Sequence, residues 1–286
     1  MIELTLSAQE LENRQLTKEH LDAAVHAVEV DGFVVLRNAI DPEHIEVLQK
    51  RMIADVEEVL ALDDVPWQFR DGHLQQDPPP FPPYIFRDVL VNDLVVDITH
   101  AILGDGLHNS SYSGNCCVPN DNEQPLHADI GQLFPGQKEA TPAFSIVVNV
   151  PVVEMTPENW STELWPGTHR DTTLTIDEDI KVPEEAQAKW RGLSEPVQPT
   201  VPIGGVLVRD MRTWHRGMPN RSKRPRPMIA MVHCTRWWRH NRRLQFPKGS
   251  EEIFENSPLT TLTEFVDGPI EYFNRHSKYD YQGTLG

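Results

Sequence analysis

The first third of the chain carries its apolar residues at helical spacing, and most of the remainder carries them in short alternating runs. Residues 17–30, TKEHLDAAVHAVEV, set an apolar stripe against a charged one and predict an amphipathic helix. DGFVVLRNAI, residues 31–40, follows as a short strand. The run DPEHIEVLQKRMIADVEEVLA opens with an aspartate suited to an N-cap and a proline at the first helical position, so a second helix is expected over 41–61. RDVLVNDLVVDITHAILGDG predicts a third helix that stops at Gly104.

Between the second and third helices lies an irregular stretch, 63–84, that ends in DPPPFPPY. It is too long for a simple connection, so it reads either as a binding loop or lid, or as a solvent loop stiffened by proline. Beyond residue 106 candidate strands fall at 107–118, 125–130, 143–152, 162–165, 205–210, 213–218 and 226–237, punctuated by Gly, Pro and Asn. Helices first and strands later point to an α+β domain, mainly β, built on a sandwich or barrel. A single domain of 286 residues is expected. It divides into a helical flank with the lid loop over 1–105, a β core over 106–240 and a C-terminal extension over 241–286. The polar residues from 250 onward show no assignable pattern.

Charge narrows the classes of function. The formal net charge of −17 disfavours binding to a phosphate backbone, so no nucleic-acid partner is expected. No apolar run approaches a membrane span, the N-terminus lacks the features of a signal peptide, and three irregularly placed cysteines suit a reduced, cytoplasmic protein. The charge is uneven, however. Between Arg209 and Arg243 there are eleven Lys or Arg and one acid, Asp210. Such a segment is either a basic face paired with acidic neighbours or the wall of an anion-binding pocket.

The chemistry gathers in PLHADIGQLFPG, residues 125–136. On a strand, His127 and Asp129 project from the same face, as a metal site or a hydrogen-bonded pair requires. His215 is the best third ligand, because two histidines and a carboxylate can occupy one face of an octahedral iron and leave three positions open. Arg226 stands one turn and one strand later, so its side chain can enter the same cavity and hold a carboxylate by two parallel hydrogen bonds. The remaining histidines, among them His26, His100, His169 and His233, read as structural, and His233 is expected to point away from the face shared by Arg226, Met228, Ala230, Val232 and Cys234. On these residues alone a zinc-type metal hydrolase and a non-catalytic cupin-like binding protein stay open beside an oxygenase.

HAD, ENWSTELWPGTHR and WHRGMPNRSKRPR, taken in order and spacing, resemble the phytanoyl-CoA dioxygenase family of iron(II)- and 2-oxoglutarate-dependent oxygenases. DGFVVLRNAIDPEHIEVLQ is similar to that family's opening strand and helix. The resemblance implies a double-stranded β-helix, the cupin-like jelly roll, with flanking N-terminal helices. It implies Fe(II) on His127, Asp129 and His215, and 2-oxoglutarate on Arg226, with Gln124 and Thr162 as further contacts. O2 and a small-molecule substrate complete the expected reaction, a hydroxylation or related C–H oxidation that yields succinate and CO2. Trp160 stands where similar proteins have glycine, so the turn before Thr162 is expected to differ. Asp129 retains the carboxylate that halogenating relatives lack, which favours hydroxylation chemistry. For the substrate pocket the candidate walls are Trp67, Phe69, Phe81, Tyr84, Ile130 and Trp237. A coenzyme A thioester and a free acid are both compatible with the family.

Overall fold

The computed structural model describes residues 3–159, 161–176, 179–239, 243–273 and 275–278. Strand β1 (Glu3–Thr5) lies parallel to β2 (Phe33–Arg37), with helices α1 (Ala8–Asn13) and α2 (Lys18–Val30) between them in sequence. Thr17 caps α2 by accepting from the His20 amide, and Asp41 caps α3 (Pro42–Leu60) by accepting from the Glu43 amide. Strand β3 (His73–Gln75) follows α3 within the proline-rich stretch.

The expected third helix is two helices, α4 (Arg87–Leu90) and α5 (Asp93–Leu103). Asn92 divides them. Its side chain accepts from the Val95 amide at 3.1 Å and donates to the Ala39 and Asp88 carbonyls, so it starts a helix rather than continuing one. Gly104, at φ 77°, ends α5 at the expected residue.

The β core follows. Strands β4 (His108–Cys117), β5 (Ser145–Pro151), β6 (Glu163–Leu164), helix α6 (Glu184–Arg191), β7 (Val206–Asp210), β8 (His215–Arg216) and β9 (Arg226–Cys234) complete it. Among the described residues the larger sheet runs β1-β2-β7-β5-β9-β4, then β11 (Thr260–Thr261), with β3 also paired to β4. Its inner pairs are antiparallel. One face carries Val34, Leu36, Ile146, Val148, Val208, Ile229 and Met231 into a core shared with α2, α3 and α5. The residues between them face the other way, toward the second sheet. Strand β5 is buried on both faces, and its sequence is apolar except at Ser145 and Asn149.

The second sheet is built largely from single rungs. β6 pairs antiparallel with β8, Leu164 bridges Val197, and His127 bridges both His215 and Lys181. The strand expected over 125–130 is thus one bridge at His127 with bends around it. Pro125 has no amide to donate, and residues 129–130 bend away. Two sheets stacked with a cavity between them make the jelly roll.

The C-terminal part, without pattern in the sequence, returns across the molecule. β10 (Leu244–Pro247) pairs parallel with β12 (Thr263–Val266), and Phe246, Ile270 and Tyr272 are buried. All three cysteines are buried and free. Among the described residues no helix is long and apolar enough to cross a membrane.

Candidate active site

The second sheet sets its side chains by strict alternation. Leu126 and Ala128 enter an outer cluster with Trp165, Leu174, Val182 and Trp214, so His127 and Asp129 face the cavity between the sheets. The two histidine residues exchange backbone hydrogen bonds, His127 N to His215 O at 3.0 Å and His215 N to His127 O at 2.8 Å. The Asp129 amide is held by the Met211 carbonyl at 3.2 Å. One ligand atom from each of His127, Asp129 and His215 falls within 4.8 Å of the other two.

The protonation of both rings follows from their neighbours. His127 Nδ1 lies 2.8 Å from the Pro125 carbonyl and His215 Nδ1 lies 3.0 Å from the Thr213 carbonyl. A carbonyl only accepts, so each Nδ1 carries the proton and each Nε2 keeps its lone pair. His215 Nε2 is 3.5 Å from Asp129 Oδ1. Burial pushes the pKa of both histidines down, for His215 well below the ordinary value, so both stay neutral. For Asp129 burial acts upward, but Arg209 above all, then His215 and His127, outweighs it and holds the carboxyl below its usual range. Arg209, only 5% exposed, donates to Asp129 Oδ2 and, through Nε, to Asn149 Oδ1 at 3.3 Å. Asp129 thus has one oxygen committed to a guanidinium and the other turned toward the histidines. Neutral imidazoles with free Nε2 atoms and an ionised carboxylate form a donor set that suits a divalent first-row metal.

The cavity beside this cluster measures about 410 Å³. Val147 and Asn149 of β5, Ser113 and Asn115 of β4, and Met228, Ala230 and Val232 of β9 form one wall. Arg226, opposite Cys117 in register, shares the face of Met228 and Ala230 and is 1% exposed. Its proximity registers on His73, which burial foremost, then Arg226 and His127, push down to about 4 against an opposing hydrogen bond to the Asn122 carbonyl. His233, on the opposite face, meets Thr99 Oγ1 of α5 at 3.0 Å. Gln124 and Thr162 both line the cavity. The Gln124 side-chain oxygen accepts from the Gly217 amide at 2.9 Å and its nitrogen donates to the Gln68 carbonyl at 3.5 Å, which leaves one amide hydrogen as a donor. Trp160 lies outside the described residues.

The suggested substrate walls separate. Phe69 stands against the His127 ring, centroids 4.6 Å apart, and is held in the left-handed region at φ 62°. Trp67 instead packs with Val56, Val59, Leu74 and Cys116 beside α3. Tyr84 and Phe81 pack together near Arg51 and Tyr272, on the helical side. Ile130 is buried without lining the cavity, and Trp237 is 60% exposed against Phe144 and Trp238. From the proline-rich stretch the cavity receives Gln68 and Gln75.

Sequence reasoning missed Arg209, Asn149 and the C-terminal His276, all of which line the cavity. Arg209 did leave a signal, a charged residue inside the apolar strand GVLVRD. The basic segment divides between both of its readings. Arg212 pairs with Asp210 and Arg216 with Glu163, whereas Arg209 lines the cavity and Arg226 is buried on the same face of β9 as Met228 without being among the lining residues.

Residues 28–228 match the family model described as phytanoyl-CoA dioxygenase. The chain belongs to the phytanoyl-CoA dioxygenase family. Among curated proteins it is similar to "Dioxygenase af480" of Aspergillus fumigatus, 30% identical over 139 residues that make up 47% of this chain and 40% of that protein. The chain therefore matches less than half the length of that relative. Solved structures of similar fold include EctD from S. alaskensis with 2-oxoglutarate and 5-hydroxyectoine, with TM-score 0.57, 20% identity and coverage of 77% of this chain and 76% of that one. AviO1 from Streptomyces viridochromogenes Tue57 aligns with TM-score 0.54 and 23% identity over 77% of this chain and 96% of that one. These likenesses establish the jelly roll. The match to the family model ends at residue 228, and His276 lies beyond it.

Proposed function

We propose that this family member is an iron(II)- and 2-oxoglutarate-dependent dioxygenase that oxidises a C–H bond of a small polar molecule. The observation that carries the reading is the His127–Asp129–His215 cluster, with both Nδ1 atoms committed to carbonyls and a buried arginine on the same cavity face. His127, Asp129 and His215 would hold the iron. Bound there, iron(II) with 2-oxoglutarate and O2 supplies the oxidising chemistry, in which the cosubstrate becomes succinate and CO2 and a substrate C–H becomes C–OH. The structures of EctD with 2-oxoglutarate and with bound Fe support the same pairing of cofactor and cosubstrate here.

This chain's own residues bind, orient and exclude water. Arg226 takes the distal carboxylate of 2-oxoglutarate by two parallel hydrogen bonds. Gln124 and Thr162 donate to the same molecule from the facing sheet. Arg209 and Asn149 fix the rotamer of Asp129, so that one oxygen faces the metal. Phe69 covers His127 and keeps water from that side of the site. A cavity of about 410 Å³ is at the lower end of the range for ligand pockets, roughly 300–1,000 Å³, and must hold cosubstrate and substrate together.

The test is succinate formation from 2-oxoglutarate by purified protein with iron(II), with the metal omitted and with His127→Ala or His215→Ala. Activity is expected only in the complete parent system. Full activity in either variant would sink the reading, and zinc-supported hydrolysis without 2-oxoglutarate consumption would move the protein to the hydrolases. Screening metabolite pools for compounds that stimulate succinate formation would then identify the substrate.

A further inference from the structure

One residue lining the cavity lies well beyond the stretch that matches the family model. That residue is His276, brought there by the returning C-terminal segment. Two anchors hold that segment. Tyr272, 5% exposed, donates to Asp55 Oδ2 at 2.9 Å and accepts from Arg51 of α3, with its ring against Phe81. Four residues on, Asp77 takes over. Its Oδ1 accepts from His276 Nε2 at 2.8 Å and from Ser113 Oγ of β4 at 2.6 Å, while Oδ2 faces Arg275 at 3.6 Å. Gln75 also reaches the Ser277 carbonyl, at 3.4 Å. The side chain of Asp77 is 1% exposed and that of His276 is 14% exposed.

A buried carboxylate inside the proline-rich stretch would be costly if it served only solvation, since ionised groups are rarely taken out of water without a partner to hold. Here the partners are the His276 imidazole, the Ser113 hydroxyl and the Arg275 guanidinium, and His276 is the one of the C-terminal pair that lines the cavity. A carboxylate only accepts, so Nε2 of His276 carries the proton toward Asp77, and in the neutral imidazole Nδ1 is the acceptor.

We propose that His276, held by Asp77, is a specificity-determining residue that accepts a hydrogen bond from a hydroxyl or amino group of the substrate. This rests on the function proposed above and names the class of substrate for that same cavity. The metal cluster and Arg226 serve the reaction common to the family. The C-terminal segment supplies a substrate contact from beyond the residues that match the family model.

The experiment measures two quantities on the same proteins. Titration calorimetry gives the Kd of 2-oxoglutarate for the Mn(II)-loaded protein. A fixed panel of hydroxy acids, amino acids and polyols, each beside its deoxy or deamino analogue, gives the KM for stimulation of succinate formation with iron(II). His276→Ala is expected to raise the KM of the parent's best compound roughly 10-fold or more, the loss of one buried hydrogen bond, with the Kd of 2-oxoglutarate within about twofold of the parent's. His276→Gln, which still offers an acceptor, should recover part of that loss, and Asp77→Asn should reproduce the rise in KM. The assignment is overturned if His276→Ala keeps the parent's KM, or if the parent binds 2-oxoglutarate yet responds to no compound of the panel. A parent that fails to bind 2-oxoglutarate overturns the proposed function first, and this assignment with it.

Discussion

Replacing Arg226 by methionine keeps most of the side-chain length and removes the charge and all five donors. The position is 1% exposed, on the cavity face of β9, so water cannot stand in for the guanidinium. Once 2-oxoglutarate is bound, its distal carboxylate is left buried and unpaired in the variant. Truncating one partner of such a pair costs about 2–5 kcal/mol, most of it the penalty on the charge left behind. The Kd of 2-oxoglutarate should therefore rise at least roughly 30-fold. Arg226→Lys should fall between, because an ammonium keeps the charge but cannot form the planar two-bond pair. The assay is calorimetry on the Mn(II)-loaded protein, with Mn(II) affinity measured separately to show that the ligand cluster is intact. A urea midpoint close to the parent's would confirm that the methionine fills the site. If the variant binds 2-oxoglutarate like the parent while it keeps its fold, the anchor is not Arg226, and the argument from burial and strand face fails.

Other consequences can be checked as directly. Phe69→Ala should raise the ratio of succinate to oxidised product, because water gains access beside His127; an unchanged ratio would show that the ring is only packing. Trp67→Ala should cost about 2 kcal/mol of stability, as a half-buried aromatic against Val56 and Leu74, and leave that ratio alone. Burial lowers the folded pKa of His73 to about 4 and of His233 to about 3, so their contribution to stability is complete above the unfolded value of 6.5 and is lost as pH falls below it. Between pH 7 and pH 5 the two should remove about 2 kcal/mol each, and a His73→Gln, His233→Gln double variant should show a correspondingly flatter urea midpoint against pH. Equal pH dependence in parent and variant would contradict this.

The sequence made some features legible for identifiable reasons. Helix starts carried their caps in Thr17 and Asp41, and β9 carried its two faces in simple alternation, so Met228 and Ala230 are found on the cavity side and His233 on the helical side. The structure likewise brings His127, Asp129 and His215 into one cluster, as their residue types and spacing allowed. Features that rest on single contacts left no period to read. Residues 125–130 form one rung rather than a strand, and Asn92 divides a helix whose apolar spacing runs straight through it. Trp237, expected as a candidate cavity wall, sits outside on Phe144, whereas His276 enters from a segment without hydrophobic pattern. Aromatic size marks what needs covering, but only tertiary contact decides what it covers.

With the metal held as proposed, the paired histidines of the second sheet make register and coordination the same property. A slip of one residue between these segments would turn His127 and Asp129 toward Trp165 and Trp214 and offer Leu126 and Ala128 to the cavity. The tryptophan layer that accepts Leu126 and Ala128 therefore acts as a template for the ligands, although it touches none of their donor atoms through the cavity. Because both rings are aligned before any ion arrives, binding spends little free energy on ordering them. A change at Trp214 that loosens this layer would surface as weaker metal binding in a protein that still folds, a loss that inspection of the ligands alone would never trace to its source.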